Sequence, residues 1–208
     1  ATDAAGCTGT RAYTLTVRRA AKGDFDGDGK TDLGIWRGTN GQWQIIQSGT
    51  GQTQIIAWGR SIAPFFDVIV PGDYDGDGKT DQAIWRGGDS IWYIRRSSDA
   101  QPILDLWGAN YTPYFDVPTP GDYDGDGKTD LAVFRPSTGE WFIKKSSDGS
   151  FRIEAWGGQG DTPIPADYDG DGKTDLAVWR GATGEWLIKR SAGGIDAVPW
   201  GAGYAPYF

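Results

Sequence analysis

One acidic, glycine-rich nonapeptide occurs four times in the 208 residues of this chain. It reads DFDGDGKTD at residues 24–32 and DYDGDGKTD at residues 73–81, 122–130 and 167–175. In every copy, aspartates at positions 1, 3, 5 and 9 supply carboxylate oxygens, a glycine at position 6 permits a sharp turn, and a lysine at position 7 can supply its backbone carbonyl. These are hard oxygen donors at the spacing that wraps a calcium ion.

The nonapeptides therefore predict about four calcium ions per chain, one in each loop. Magnesium fits less well, because it retains its waters and is rarely held in an all-protein oxygen cage. Four carboxylates within nine residues repel one another without a cation, so metal binding should be coupled to ordering of the loop. The predicted ligands, loop by loop, are Asp24, Asp26, Asp28, Lys30 (carbonyl) and Asp32; Asp73, Asp75, Asp77, Lys79 (carbonyl) and Asp81; Asp122, Asp124, Asp126, Lys128 (carbonyl) and Asp130; and Asp167, Asp169, Asp171, Lys173 (carbonyl) and Asp175.

An EF-hand is the obvious alternative for such a loop. That motif needs a bidentate glutamate at position 12 and a helix on each side. Position 12 is occupied here by Ile35, Ile84, Val133 and Val178, which are residues typical of strands. The EF-hand interpretation is therefore excluded.

The repeat extends far beyond the acidic loop. The first aspartates of successive copies are separated by 49, 49 and 45 residues, and all eleven tryptophans fall in three columns at fixed distances from them. A period of this length is typical of a repeat architecture. The columns are Trp36, Trp85 and Trp179, with Phe134 in the third repeat; Trp43, Trp92, Trp141 and Trp186; and Trp58, Trp107, Trp156 and Trp200, the last one residue early.

Within one repeat, the local signals are those of β-strands. TDLAVFR and EWFIKKSS are rich in branched and aromatic residues and are separated by the turn PSTG, while FRIEAWG and FDVPTPGDY supply two further extended segments. We therefore predict an all-β fold: a β-propeller of about four blades, each a four-stranded antiparallel sheet with a DxDGDGxxD calcium loop. The large tryptophan rings should fill the space between neighbouring blades.

The unit GDYDGDGKTDLAVFRPSTGEWFIKKSS…WG resembles the FG-GAP or VCBS-type repeat over residues 21–208. This is the calcium-loop propeller blade of integrin α subunits and of some fungal and bacterial lectins. The resemblance implies structural rather than catalytic calcium, bound between the first two strands of a blade by the residues named above. Propellers of that family usually have more than four blades. A closed four-bladed ring, a half-ring that pairs into eight blades and a part of a longer array therefore all stay open.

The chain divides at its N-terminus into residues 1–19, an extended segment, and residues 20–208, the propeller. The segment resembles the last strands of a bacterial immunoglobulin-like module, and AYTLTV alternates as a strand does. Residues 11–17 could close the ring in cis or pair with a sheet edge of another molecule, which would link subunits head to tail. The lone Cys7 allows no internal disulfide, and the absence of Met, even at position 1, predicts a processed product or an excised piece.

The composition restricts the classes of partner. A formal charge of −8 argues against nucleic acid or an anionic membrane surface, and no apolar run approaches the ~20 residues of a membrane span. The sequence contains no histidine to act as a general base, so we expect a protein that is not an enzyme.

These observations predict a module that is extracellular or on the cell surface and that binds a glycan or an extracellular protein. The alternative is a structural subunit of an extracellular filament, a homo-oligomer or head-to-tail polymer linked through the N-terminal strand. Aromatic loops in three repeats could hold the ligand, although they could equally pack the joints between blades. The ligand-binding candidates are Phe65, Phe66, Tyr114, Phe115, Tyr207 and Phe208.

Overall fold

The fold was analysed in a computed structural model, which describes residues 23–60, 67–110 and 114–201. The N-terminal segment 1–19 with Cys7 and the predicted strand at 11–17 lie outside the described residues, as do Phe65, Phe66, Tyr207 and Phe208. All regular structure in the described ranges is β-structure, as predicted, and no helix there could cross a bilayer. The strands are β1 (Leu33–Arg37), β2 (Gln42–Ile46), β3 (Thr53–Ala57), β4 (Asp67–Ile69), β5 (Gln82–Arg86), β6 (Ile91–Arg95), β7 (Pro102–Leu106), β8 (Val117–Pro118), β9 (Leu131–Arg135), β10 (Glu140–Lys144), β11 (Phe151–Ala155), β12 (Asp161–Pro163), β13 (Leu176–Arg180), β14 (Glu185–Lys189) and β15 (Ile195–Pro199).

The strands form four antiparallel sheets, each from consecutive strands, which are the blades of a β-propeller. Blade 2 (β4–β7), blade 3 (β8–β11) and blade 4 (β12–β15) have four strands, as predicted. Blade 1 (β1–β3) has three within the described part of the chain. The residues at the offset of a fourth strand, 18–20, lie outside it.

In blades 2, 3 and 4, the acidic loop joins the first two strands of the blade. The base of the loop is closed by an isolated bridge in blades 2, 3 and 4, for example between Gly121 and Asp130. The hydroxyl of Tyr123 donates to the carbonyl of Thr119 at 2.7 Å, which ties the loop to the strand before it. The first strands approach a cavity of about 350 Å³ that is lined by residues of all four blades.

The hydrophobic core lies between the blades. One face of blade 3 presents Phe134, Trp141 and Ile143, and these residues pack against Leu176 and Val178 of blade 4. The same arrangement joins blade 2 to blade 3 and blade 1 to blade 2. Repeated large rings thus fill the joints, which confirms the predicted role of the first two tryptophan columns.

The third tryptophan column connects neighbouring blades by hydrogen bonds. The indole N–H groups of Trp58, Trp107 and Trp156 donate to backbone carbonyls of the next blade at 3.0–3.1 Å. Their acceptors are the carbonyls of Tyr93, Phe142 and Leu187, which occupy the same place in three successive blades. Every joint is therefore built on one pattern.

A buried ion pair fixes the first strand to the second in blades 2, 3 and 4. The carboxylate of Asp116 accepts two bonds from the Arg135 guanidinium, at 2.8 and 3.0 Å, and one from the backbone N–H of Ala109 at 2.7 Å. The side chain of Asp116 is fully buried. Asp67 with Arg86 and Asp161 with Arg180 repeat the pair in blades 2 and 4.

Candidate metal centre

Three carboxylates of every acidic loop converge on one point. The aspartates at positions 1, 3 and 9 each offer an oxygen, and the three oxygens of a loop lie within 4.8 Å of one another. The clusters are Asp24, Asp26 and Asp32; Asp73, Asp75 and Asp81; Asp122, Asp124 and Asp130; and Asp167, Asp169 and Asp175. The structure therefore brings together three of the four predicted carboxylate ligands in each loop.

Backbone N–H groups of the loop hold the first aspartate of each cluster in place. In the loop of blade 3, the two oxygens of Asp122 accept hydrogen bonds from the N–H groups of Gly125 at 2.6 Å and Gly127 at 3.0 Å. Both glycines have positive φ, at 83° and 89°, a conformation that other residues rarely adopt. The glycines at positions 4 and 6 are thus required by the path of the loop around the carboxylate.

In blades 2, 3 and 4, the aspartate at position 9 is the most buried member of the cluster. One oxygen of Asp130 accepts a hydrogen bond from the N–H of Tyr123 at 2.8 Å, and the other accepts one from the N–H of Ser146 at 2.7 Å. Ser146 lies in the turn that follows β10, so this carboxylate connects the loop to the second hairpin of the blade. Only the oxygen edge that faces the cluster remains for a cation.

Burial raises the pKa of the position-9 aspartate in blades 2 and 3. Desolvation raises the pKa of Asp81 to about 6, against hydrogen bonds from Ser97 that lower it, and the nearby negative charge of Asp75 raises it further. Burial likewise raises the pKa of Asp130 to about 6, with Asp124 adding to the effect. A charged cluster of this kind is costly without a cation, and a bound divalent ion would relieve that cost.

We expect calcium binding by these two loops to weaken as the pH falls through 6. Calcium requires the ionised carboxylate, and the protonated fraction of Asp81 and Asp130 increases below that pH. For a carboxyl with a pKa of about 6, proton competition lowers the affinity roughly fourfold at pH 5.5 relative to pH 7.5. Calorimetric titration with calcium at the two pH values measures this change.

The control for the pH titration is the double variant Asp81→Asn, Asp130→Asn. It removes both carboxyls with the raised pKa, so the roughly fourfold loss of affinity at pH 5.5 should be absent from its titration. Equal calcium affinity of the unaltered protein at pH 7.5 and pH 5.5 would contradict the expected proton competition.

The aspartates at position 5 are placed differently from the others. Asp28, Asp77, Asp126 and Asp171 are not members of the four clusters. Each accepts a hydrogen bond, at 2.5–3.0 Å, from the hydroxyl of a serine. These serines lie in the turns that follow β2, β6, β10 and β14. The role of the position-5 aspartates as ligands, like that of the lysine carbonyls, stays a prediction.

These serines are functional residues that the sequence interpretation missed. Ser48, Ser97, Ser146 and Ser191 each follow the first aspartate of their loop by 24 residues, so the signal was present in the repeat. In blades 2 and 3 the next serine also reaches the cluster, since the hydroxyls of Ser98 and Ser147 donate to the position-3 aspartates at 2.5 Å.

The donor set fits calcium. Three carboxylates of hard oxygen character are fixed by backbone donors within the reach of a single ion, and the residues around them provide further oxygens. A bound ion would neutralise the repulsion between the carboxylates and join the loop to the second hairpin. Its contribution would be structural, because it would hold two segments of a blade together.

Neighbouring loops are connected through their backbones. The N–H groups of Thr80, Thr129 and Thr174 donate to the carbonyls of Asp24, Asp73 and Asp122, the first aspartates of the preceding loops, at 2.6–2.7 Å. The lysine side chain of each of these loops also covers the preceding one: a Cβ added at Gly27 would lie 2.8 Å from Cε of Lys79. The metal clusters are thus linked along the chain.

The predicted aromatic ligand residues are described only in blade 3. The Tyr114 ring is half-buried, and the Arg135 guanidinium lies 4.2 Å from its centroid and 4.1 Å from that of Phe142. Tyr114 therefore packs within the blade. The adjacent Phe115 is 56% exposed.

Comparisons with known proteins identify the repeat and the fold. Residues 24–84 and 122–195 match the family model of an FG-GAP-like repeat. A search of curated protein sequences finds no match. Among solved structures, the chain is similar to a streptogramin B lyase, with 9% identity over 81% of this chain and 51% of that chain and a TM-score of 0.50. It is also similar to selenomethionine-substituted virginiamycin B lyase from Staphylococcus aureus, with 10% identity over 81% of this chain and 52% of that chain and a TM-score of 0.48.

The chain spans about half the length of these lyase chains, and at such low identity the likeness to them concerns the fold alone. The family match is stronger, because it covers more than half of the chain and includes all four acidic loops. The chain therefore belongs to the FG-GAP-like repeat family.

Proposed function

We propose that this protein is a non-enzymatic, extracellular β-propeller module that is stabilised by about four calcium ions and that binds a glycan or an extracellular protein. The observation that carries the proposal is the fourfold repetition of one carboxylate cluster at the same place in every blade. A catalytic metal needs one reactive site with an open position. Four equivalent clusters that each join a loop to a hairpin support a structural role instead.

The metal chemistry of the acidic loops supports an extracellular location. Calcium sites built from a few carboxylates on a surface loop have dissociation constants of ~10⁻⁴–10⁻³ M in extracellular modules. Such sites are filled by millimolar calcium outside the cell, whereas cytosolic calcium would leave them empty. A propeller whose stability depends on these ions is therefore suited to an extracellular environment.

The chemistry of the remaining residues supports binding rather than catalysis. The chain contains no histidine, and its only thiol is Cys7. The buried carboxylates outside the loops, Asp67, Asp116 and Asp161, are paired with arginines in a repeated structural role. Repeated pairs of this kind hold strands in place and leave no isolated acid and base.

Phe115 is the exposed member of the predicted aromatic ligand residues that the structure describes. Its ring is exposed, it follows directly on the packed Tyr114, and the loop around it precedes the first strand of blade 3. An exposed aromatic ring presents an apolar face that can stack on the apolar face of a sugar ring. This supports a glycan as the ligand.

We expect Phe115→Ala to weaken glycan binding at least about tenfold, since an aromatic anchor typically contributes more than 1.4 kcal/mol to a binding site. A glycan array probed with the calcium-loaded protein identifies the sugar, and calorimetry with that sugar measures the loss. The control is Phe151→Ala, which removes another exposed phenylalanine, on β11, whose ring lies 5.8 Å from that of Trp107. The absence of any glycan bound by the loaded protein, or equal losses in the two variants, would contradict a sugar site at Phe115.

A further inference from the structure

The two terminal blades present apolar faces that are buried in every joint inside the chain. Ile35 of blade 1 is 53% exposed, whereas its counterparts Ile84, Val133 and Val178 are fully buried against the preceding blade. Leu33 and Ile46, which flank Ile35 on the same face, are exposed as well. Within the described residues, no blade covers this face.

Blade 4 exposes the opposite half of the same joint. Its Trp200 donates its backbone N–H to the carbonyl of Gly184 at 2.8 Å, as Trp58, Trp107 and Trp156 do to the corresponding residues of their own blades. Trp200 is thus the fourth member of that column, although it falls one residue early in the sequence. Its side chain is 74% exposed, and no following blade is present among the described residues to accept its indole N–H.

The two exposed faces match each other at a position where two of the three internal joints carry a charge pair. Lys144 of blade 3 pairs with Asp105 of blade 2 at 2.6 Å, and Lys189 of blade 4 pairs with Glu154 of blade 3. The register of the strands places Ile46 of blade 1 at the position of these lysines. It places Val198 of blade 4 at the position of the acids. Ile46 and Val198, which would face each other in a joint between blade 4 and blade 1, are both apolar and therefore complement each other.

The acidic loops of blades 1 and 4 also lack, among the described residues, one contact that is made in every internal joint. In each internal joint, a lysine lies over a glycine of the preceding loop, as Lys173 lies over Gly125. At Gly170 of blade 4, an added Cβ would meet nothing within 4 Å. The side chain of Lys30 in blade 1, which is the counterpart of these lysines, is 73% exposed.

We propose that a second copy of the chain covers these faces, so that blade 4 of each chain packs on blade 1 of the other and two chains close a ring of eight blades. The joint continues the pattern of the three internal ones: the indole N–H of Trp200 faces the carbonyl of Gln44, Val198 packs on Ile46, and Lys30 covers Gly170. A closed pair buries all the terminal faces, whereas an open series of chains always leaves two exposed.

The mass of the particle in solution tests this proposal. Light scattering and sedimentation of the calcium-loaded chain should give a discrete species of twice the 22.5 kDa of one chain. Ile35→Asp places a charge at the centre of the joint and should weaken the dimer at least about 100-fold, an effect typical of a central interface residue. Leu104→Asp is the matched control, because Leu104 is equally exposed on β7 but lies outside both terminal faces, and it should leave the dimer intact.

An exchange of charges tests the pairing of the two faces directly. Ile46→Lys and Val198→Glu should each weaken the dimer, and the double variant should restore it by recreating the Lys144–Asp105 type of pair. Loss without restoration would overturn the proposed register. A monomer at 100 µM would overturn the proposed pairing of chains, and a ladder of larger oligomers would overturn the closed ring.

Discussion

Removal of calcium is expected to destabilise this protein by about 11 kcal/mol, since each of four sites held at 100 times its dissociation constant contributes about 2.7 kcal/mol to the free energy of unfolding. The physical reason is that the ion binds the folded loop and has no preformed site in the unfolded chain. Urea unfolding in calcium and in excess chelator measures the difference.

One cluster can be removed at a time. Asp130→Asn takes a buried carboxylate from the cluster of blade 3 and should lower the calcium stoichiometry by one ion and the stability in calcium by about 3 kcal/mol. Asp148→Asn is the control, because Asp148 is exposed in the turn after β10 and belongs to no cluster. Unfolding curves that are unaffected by chelator would contradict a structural role for calcium.

The second large effect is expected from Asp116→Ala. This substitution removes a buried carboxylate and leaves the Arg135 guanidinium and the N–H of Ala109 without their acceptor. Loss of one partner of a buried ion pair costs about 3–5 kcal/mol, because the other charge stays desolvated. The free energy of unfolding from urea titration in saturating calcium measures the loss.

The matched control is Asp99→Ala, which breaks the exposed pair between Asp99 and Arg96. Exposed ion pairs contribute at most about 1 kcal/mol, because solvent screens both charges. A loss at Asp116 no larger than that at Asp99 would mean that the repeated Asp–Arg pair is not a determinant of blade stability.

The sequence was sufficient to predict the blades and the position of the acidic loops because the repeat amplifies weak signals. A single DxDGDGxxD motif is compatible with an EF-hand, but four copies followed by strand residues such as Val133 at position 12 are not. In the same way, tryptophans that recur at fixed distances indicate a buried role that one tryptophan alone could not establish. Each agreement between repeats served as an independent observation.

Other features could not be predicted because they depend on which segments meet in space. The turn with Ser146 reaches the loop with Asp126 only after the second hairpin folds back, and the sequence offers no partner for a serine. The Asp116–Arg135 pair follows from a register between the first two strands that is fixed by packing. Ile35 and Ile84 are the same residue type at the same position of the repeat, yet Ile35 is exposed and Ile84 is buried. The difference depends on which segment packs against each blade, and residue type alone does not reveal this.

The hydrogen bonds between successive loops have a consequence for calcium binding itself. Because the N–H of Thr129 holds the carbonyl of Asp73, an ion that fixes one loop also reduces the conformational entropy that the neighbouring loop must lose. Such nearest-neighbour coupling would make the four proposed calcium sites a linear cooperative series rather than four independent equilibria. Loss of a middle site would then divide the series into shorter segments, whereas loss of a terminal site would only shorten it. Calcium concentration would thereby act on the protein as a graded switch of its rigidity, with a threshold set by the number of loops in uninterrupted contact.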